Sequence, residues 1–195
     1  MLNKMEKGLL FIVSAPAGTG KTTLVKKLTQ EFPHVISSLS FTTREPRNGE
    51  ADGIDYNFIS KTDFEERVKR GDLLEFVELY GHYYGTSKKW VENQQAQGNH
   101  IVLVIDTQGG LLLKKKNVPA VFIFIEPPSL EELKRRLLAR KTESLTVIEE
   151  RLSCVVRELQ QGAEYDYRII NDQLDVAYQV LKSIFIAEMH RIRKP

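Results

Sequence analysis

Short apolar runs recur along the chain, separated by stretches whose apolar residues repeat every three or four positions. The runs cover Gly8 to Ser14, Val35 to Ser40, His100 to Ile105 and Pro119 to Ile125, and Tyr167 to Asn171 adds a fifth. Runs of this length bounded by turn residues predict strands, and the most continuous ones predict strands buried on both faces. Helical periodicity predicts a helix over Lys21 to Glu31, with Leu24, Val25 and Leu28 on one side, closed by Phe32-Pro33. Further helices are expected over Gly109 to Lys116, from Ser129 through Arg140, over Val147 to Gln161 and over Leu174 to Arg191. Ser129 and Glu132 form the capping box of the second of these. Val176, Val180, Leu181 and Ile184 are read as the packing face of the last. Strands alternating with helical crossovers imply an α/β fold: a parallel sheet with helices on both faces.

The alternation fails between residues 37 and 90. Thr42 to Asp55 is polar and rich in turn residues, with Arg44, Pro46, Arg47, Gly49, Glu50 and Gly53. Tyr56 to Ile59 resumes a strand pattern. Lys61 to Arg70 reads as a helix with Thr62 as N-cap and Glu65 as its box partner, ended by Gly71. Leu73 to Leu79 is strand-like but interrupted by Glu75 and Glu78, Gly81 to Ser87 reads as a turn, and Lys88 to Gln97 as a helix stopped by Gly98. Residues 37–90 therefore read as a small mixed subdomain inserted into the core, and 130–160 as a second, helical excursion.

The chain of 195 residues is 42% apolar, which suits one globular domain with inserted parts. Its 28 Lys and Arg balance 26 Asp and Glu, a net +2 that argues against nucleic-acid binding by bulk charge. No apolar run reaches the length of a membrane span, and Met1 to Lys7 lacks the apolar centre of a signal peptide, so no membrane partner is expected. Cys154 is the single cysteine, which excludes an intrachain disulfide and fits a reducing, cytoplasmic setting; its spacing suits a packed helix residue.

The chemistry concentrates where the first strand meets the first helix. Ala15-Pro16-Ala17-Gly18-Thr19-Gly20-Lys21-Thr22 follows the phosphate-loop pattern G-x-x-x-x-G-K-[ST], with alanine for the first glycine and Thr23 next in the helix. Backbone N–H groups of such a turn and the helix N-terminus converge on an anion, Lys21 reaches the outer phosphates, and the Thr22 hydroxyl suits a magnesium ion. Ala15 is expected to keep a negative φ. An ordinary small-residue turn is the competing reading. Asp106 ends the third apolar run, where α/β proteins bind ligands, and could orient magnesium or its water; capping a loop is its alternative. Arg44 and Arg47 supply fork-shaped donors for phosphate, against a solvated excursion held by ion pairs. Arg136 and Arg140 share a helical face, either as a solvated basic surface or as part of a closing lid.

With these features in hand the chain resembles the guanylate kinases over nearly its whole length. The likeness is most specific in Ser40-Phe-Thr-Thr-Arg-Glu-Pro-Arg-Asn-Gly-Glu50, in Gly53 and Asp55 to Phe58, in Glu75, in Tyr83 to Ser87, in Asp106 to Gly109 and in Ile170 to Asp172. The resemblance implies a three-layer P-loop core with a GMP-binding subdomain and a lid, and transfer of the ATP γ-phosphate to GMP or dGMP with Mg2+, by a monomer or small homo-oligomer. It assigns Ser40, Arg44, Arg47, Tyr56 and Tyr84 to the GMP phosphate, and Glu75 and Thr86 to guanine. Asp106 joins the GMP side and, with Thr22, the metal. It assigns the loop residues from Ala15 to Thr23 and Asn171 to ATP, and Lys21, Arg44, Arg136, Arg140 and Arg151 to the transferring phosphate, with Arg157 as an extra candidate. Guanine's N1–H and amine match a carboxylate such as Glu75, and its O6 a hydroxyl such as Thr86; adenine reverses that polarity. Direct in-line transfer follows, with no phosphoenzyme and no protein base. Three positions depart from the family pattern: Ala15, Val104 where an aspartate is usual two before Asp106, and Lys141 in place of a glycine. A related small-molecule kinase, such as a ribose bisphosphate phosphokinase, and a non-catalytic guanylate-kinase-like interaction domain are the alternatives.

Overall fold

The structure is a computed structural model that describes residues 7–139 and 145–192, without the side chains of 145–147, 150 and 151. The central strand is β1 (Leu10–Ser14), buried at every position. It leads through the small-residue loop into α1 (Lys21–Glu31), which ends where Phe32 turns extended ahead of Pro33. Four more strands run parallel to β1: β2 (Val35–Ser37), β7 (His100–Ile105), β8 (Val121–Glu126) and β9 (Tyr167–Ile170), in the order β2-β7-β1-β8-β9. Between β2 and β7 lie β3 (Phe41–Thr42), β4 (Asn57–Phe58), α2 (Lys61–Arg70), β5 (Leu73–Leu79), β6 (His82–Ser87) and α3 (Lys88–Ala96). Then α4 (Thr107–Lys115) follows β7, α5 (Leu130–Ala139) and α6 (Leu145–Gly162) follow β8, and α7 (Leu174–Met189) closes the chain.

Period-two alternation divides the core into two layers. Phe11 and Val13 of β1, Val102 of β7 and Ile123 of β8 face one apolar cluster with Leu24 and Leu28 of α1 and Leu181 and Phe185 of α7. Leu10 and Ile12, with Ile101, Leu103 and Phe122, face the opposite cluster with Val91 of α3 and Leu113 of α4. The expected three layers of helix, sheet and helix are thus present. A third cluster, Leu133, Leu137, Ile148 and Val155, joins α5 to α6.

Residues 37–90 carry their own four-stranded sheet, ordered β4-β3-β6-β5. Here the structure departs from the pattern reading in several places. The second core strand stops at Ser37, and Phe41–Thr42 form a separate strand too short to be read from periodicity. Helix α2 is capped by Ser60, not Thr62: the Ser60 hydroxyl accepts from the Asp63 N–H at 3.0 Å and donates to the Asp63 carboxylate at 2.7 Å. His82–Ser87 is a strand, not a turn; the turn is only Tyr80-Gly81, with φ of 52° and 78°. Two positive φ values make a hairpin bend that matches strand twist, here with tyrosine where asparagine is usual. Val176 and Val180 are 57% and 41% exposed, whereas Ala177, Tyr178, Leu181, Ile184 and Phe185 are buried. Helix α7 is apolar around much of its circumference, so spacing alone did not select its inner face. Cys154 is exposed on α6 and is not a packed helix residue. Among the described residues, no helix is long and apolar enough to cross a membrane.

Candidate active site

A cleft of about 220 Å³ opens at the carboxyl ends of β1 and β7, between the two sheets. One wall is the loop after β1. Gly18 and Gly20 both hold φ of 90°, closed to most side chains. They are also tight: a Cβ on Gly18 would lie 2.9 Å from Leu137 of α5, and one on Gly20 2.5 Å from the Asn171 amide. Thr19 is buried, and its hydroxyl donates to the Pro16 carbonyl at 2.9 Å. Asn171 Nδ2 donates to the Thr19 carbonyl at 2.6 Å. Lys21 Nζ lies back over the loop, 3.1 Å from the Ala15 carbonyl. Ala15 is buried and is not among the described non-glycine residues with positive φ, which are Tyr80 and Asn117. The expected negative φ is met, so alanine fits this loop without strain.

The facing wall comes from the second sheet. Burial along β5 alternates so that Glu75 and Val77 are inside and Phe76 is 41% exposed, after a register shift against β6 between Leu73 and Glu75. A buried acid beside an exposed phenylalanine inverts what folding alone favours and marks a functional position. Glu75 stands opposite Thr86, whose hydroxyl donates to Glu75 Oε1 at 2.8 Å. Burial pushes the Glu75 carboxyl up to about 7, the Thr86 bond opposing and the nearby Asp106 charge adding to the rise. Asp106 caps α4, accepting from the Gly109 N–H at 2.9 Å. Burial raises its pKa too, against the pull of that N–H and of Lys21. A Cβ on Gly109 would be 2.9 Å from Glu75 Oε2 and 3.1 Å from Asp106 Oδ1, so the two carboxylates converge on one bare backbone position. Ser40, Arg44, Arg47, Tyr56 and Tyr84 line the same cleft, with the Arg44 guanidinium 5.4 Å from the Tyr56 ring centre.

A family model described as guanylate kinase matches residues 7–188. The chain belongs to the guanylate kinase family. It is 62% identical over 191 residues to the guanylate kinase of Protochlamydia amoebophila, covering 98% of this chain and 96% of that one. It is 52% identical over 184 residues to that of Chlamydia trachomatis serovar D, covering 94% and 89%. Among solved structures, guanylate kinase from Anaplasma phagocytophilum superposes with a TM-score of 0.77 at 29% identity, covering 95% of this chain and 88% of that one.

Of the residues that the guanylate kinase resemblance singled out, the cleft gathers Ala15, Ala17, Lys21, Thr22, Ser40, Arg44, Arg47, Tyr56, Glu75, Tyr84 and Asp106. Thr86 stands behind Glu75, 1% exposed, with its hydroxyl committed to that carboxylate. Thr19 and Asn171 brace the loop from within. Arg136 is set apart from the cleft lining: it donates to Glu132 Oε1 at 2.7 Å, to the Asn171 carbonyl at 2.8 Å and to the Asp172 carbonyl at 3.3 Å. It thereby ties α5 to the segment after β9. Arg157 is exposed on α6 and does not line the cleft, whereas its neighbour Glu158 does. Arg140, Lys141 and the Arg151 side chain lie outside the described residues. The pattern reading did not single out Glu158, Tyr80, Val77, Leu79 or the gap at Gly109. The repeated small residues Gly109-Gly110 at the start of α4 were the available signal for the last.

Proposed function

We propose that GMP lies against the second sheet with its guanine on Glu75, and that ATP lies along the loop from Ala15 to Thr23, so that the two phosphate chains meet near Lys21. Phosphorylation of GMP by ATP is the family's reaction, and this chain is such an enzyme. The observation that carries the site assignment is the shared cleft: a phosphate-loop lysine on one wall and a buried, hydroxyl-held carboxylate on the other. Glu75 in its ionised form accepts from N1–H and the exocyclic amine of guanine; adenine leaves it without the N1–H donor. A buried mismatch of this kind costs about 1–3 kcal/mol per group, or tenfold and more in selection. Arg44, Arg47, Ser40, Tyr56 and Tyr84 hold the acceptor phosphate. Residues 37–90 act as the acceptor-binding subdomain and 130–160 as the lid, bringing Arg136, Arg140 and Arg151 toward the transferring group on closure, which requires Arg136 to exchange its present carbonyl partners.

The family uses magnesium with ATP. The cleft offers two oxygen side chains suited to that hard cation or its waters, Thr22 and Asp106, with Val104 lining the same space as an apolar group. Thr22 and Asp106 would hold such an ion, directly or through water, and it would supply neutralisation of phosphate charge. The residues of the chain supply positioning and electrostatic complementarity: Lys21 draws the outer phosphate, the α1 N-terminus and its preceding turn cradle the donor, and Arg44 fixes the acceptor in line.

ADP release from magnesium ATP, followed with GMP, dGMP, AMP, UMP and dTMP in turn, tests the reading. Turnover confined to GMP and dGMP is expected, and E75Q should raise the KM for GMP at least tenfold at pH 8. Equal turnover of AMP would overturn the guanine assignment.

A further inference from the structure

A single carboxylate, Glu50, ties together both arginines of the acceptor wall. Its Oε2 accepts from Arg44 Nη1 at 2.9 Å and from the Arg47 backbone N–H at 2.8 Å, and its Oε1 accepts from Arg44 Nη2 at 3.0 Å. The Glu50 N–H donates back to the Arg47 carbonyl at 3.0 Å, closing a tight turn through Asn48 and Gly49. Gly49 has φ of 88° and open space around it, so the backbone angle alone requires glycine there. Arg44 Nη1 also donates to the Glu45 carbonyl at 2.7 Å, and its guanidinium lies 5.4 Å from the ring centre of Tyr56 and 5.8 Å from that of Phe58. The paired side chains are only 11% and 20% exposed. An exposed ion pair contributes little, but a two-pronged pair withdrawn from solvent and packed on rings sets the orientation of the arginine.

We propose that Glu50 is a positioning residue for the acceptor: it presents Arg44 and the Arg47 turn at the cleft wall, already oriented, before the GMP phosphate arrives. The inference rests on the reading of Arg44 and Arg47 as holders of that phosphate. Binding to a wall set in advance avoids ordering a long arginine at the moment of association. Glu50 carries a negative charge near a dianion, so its removal has two opposed effects. Loss of orientation raises the KM for GMP, and loss of repulsion lowers it. The geometry points to the first, because three separate hydrogen bonds converge on this one side chain.

The test compares E50A, E50Q and R44A by steady-state kinetics, with guanosine binding measured alongside. E50A is expected to raise the KM for GMP about tenfold, with kcat within about twofold, KM for ATP unchanged and guanosine affinity unchanged, since guanosine has no phosphate. E50Q keeps the shape and one acceptor oxygen and should recover about half of that effect on a logarithmic scale. A KM for GMP that stays level or falls in E50A, while R44A raises it, overturns the role of Glu50. So does equal weakening of guanosine and GMP, which would make Glu50 a general support of the second sheet. A KM for GMP unchanged in R44A removes the phosphate clamp itself, and the inference falls with it.

Discussion

Glu75 shows what a single residue can carry. Its carboxyl is raised from 4.5 to about 7, first by burial, so the native state holds a proton that the unfolded chain has released. That contribution to stability is fully present below about pH 4.5 and is lost as pH rises through about 7, a span on the order of 3 kcal/mol. E75Q should therefore melt higher than the parent protein at pH 8, with the gap closing by pH 5; identical melting curves across that range would refute it. The same proton opposes the guanine contact proposed for Glu75. Guanosine affinity should fall roughly tenfold from pH 8 to pH 6, as about one tenth of the carboxylate remains ionised, and E75Q should lose that dependence. Calorimetric titration at the two pH values decides it. At this scale much of the candidate cleft was legible in the sequence, because Glu75, Arg44, Tyr84 and Lys21, which line it, are chemically distinctive in a recognisable order. What could not be read was where a donor is already committed. Thr86 bonds Glu75 across a hairpin, and Asn171 bonds the loop and Arg136 two carbonyls through partners far along the chain.

At the scale of elements, α4 begins against two carboxylates and does so only because Gly109 has no side chain. G109A should displace Glu75 or Asp106, raising the KM for GMP about tenfold and leaving the KM for ATP within twofold; unchanged KM for GMP would mean the first turn of α4 yields instead. The long core elements were legible because burial on both faces writes continuous apolar runs, as in β1 and β7, and because Pro33 and Gly98 mark boundaries. The second sheet was harder. Phe41–Thr42 and Asn57–Phe58 are too short to show a period, and β6 carries His82, Tyr83, Tyr84 and Gly85, a composition that also suits a turn. Glu75, which interrupts the apolar run of β5, is buried just after the register shift against β6. Each of these departures lies beside the cleft, where local preference gives way to the demands of binding.

For the whole molecule, the cleft is lined by Val104 and Asp106 from the core sheet side and by Arg44 and Glu75 from the second sheet, so the proposed acceptor and donor walls come from different sheets. Adding a second acid at position 104 tests the magnesium site proposed at this junction. V104D is expected to lower the magnesium concentration for half-maximal turnover about threefold to tenfold, read from a magnesium titration at fixed ATP; a superimposable titration would show that position 104 has no part in it. The order of strands has another consequence. Leu10 pairs with Ile101, and Phe11 with Val121, so β1 waits for partners made about ninety and a hundred and ten residues later. Contacts so distant in sequence are slow to form. Until β7 and then β8 have been made, Leu10–Ser14 lacks the strands that flank it on both sides, and the loop that follows it is not yet held in place. A nucleotide-binding loop hung from β1 is therefore completed only after the chain has been made as far as β8, more than a hundred residues on.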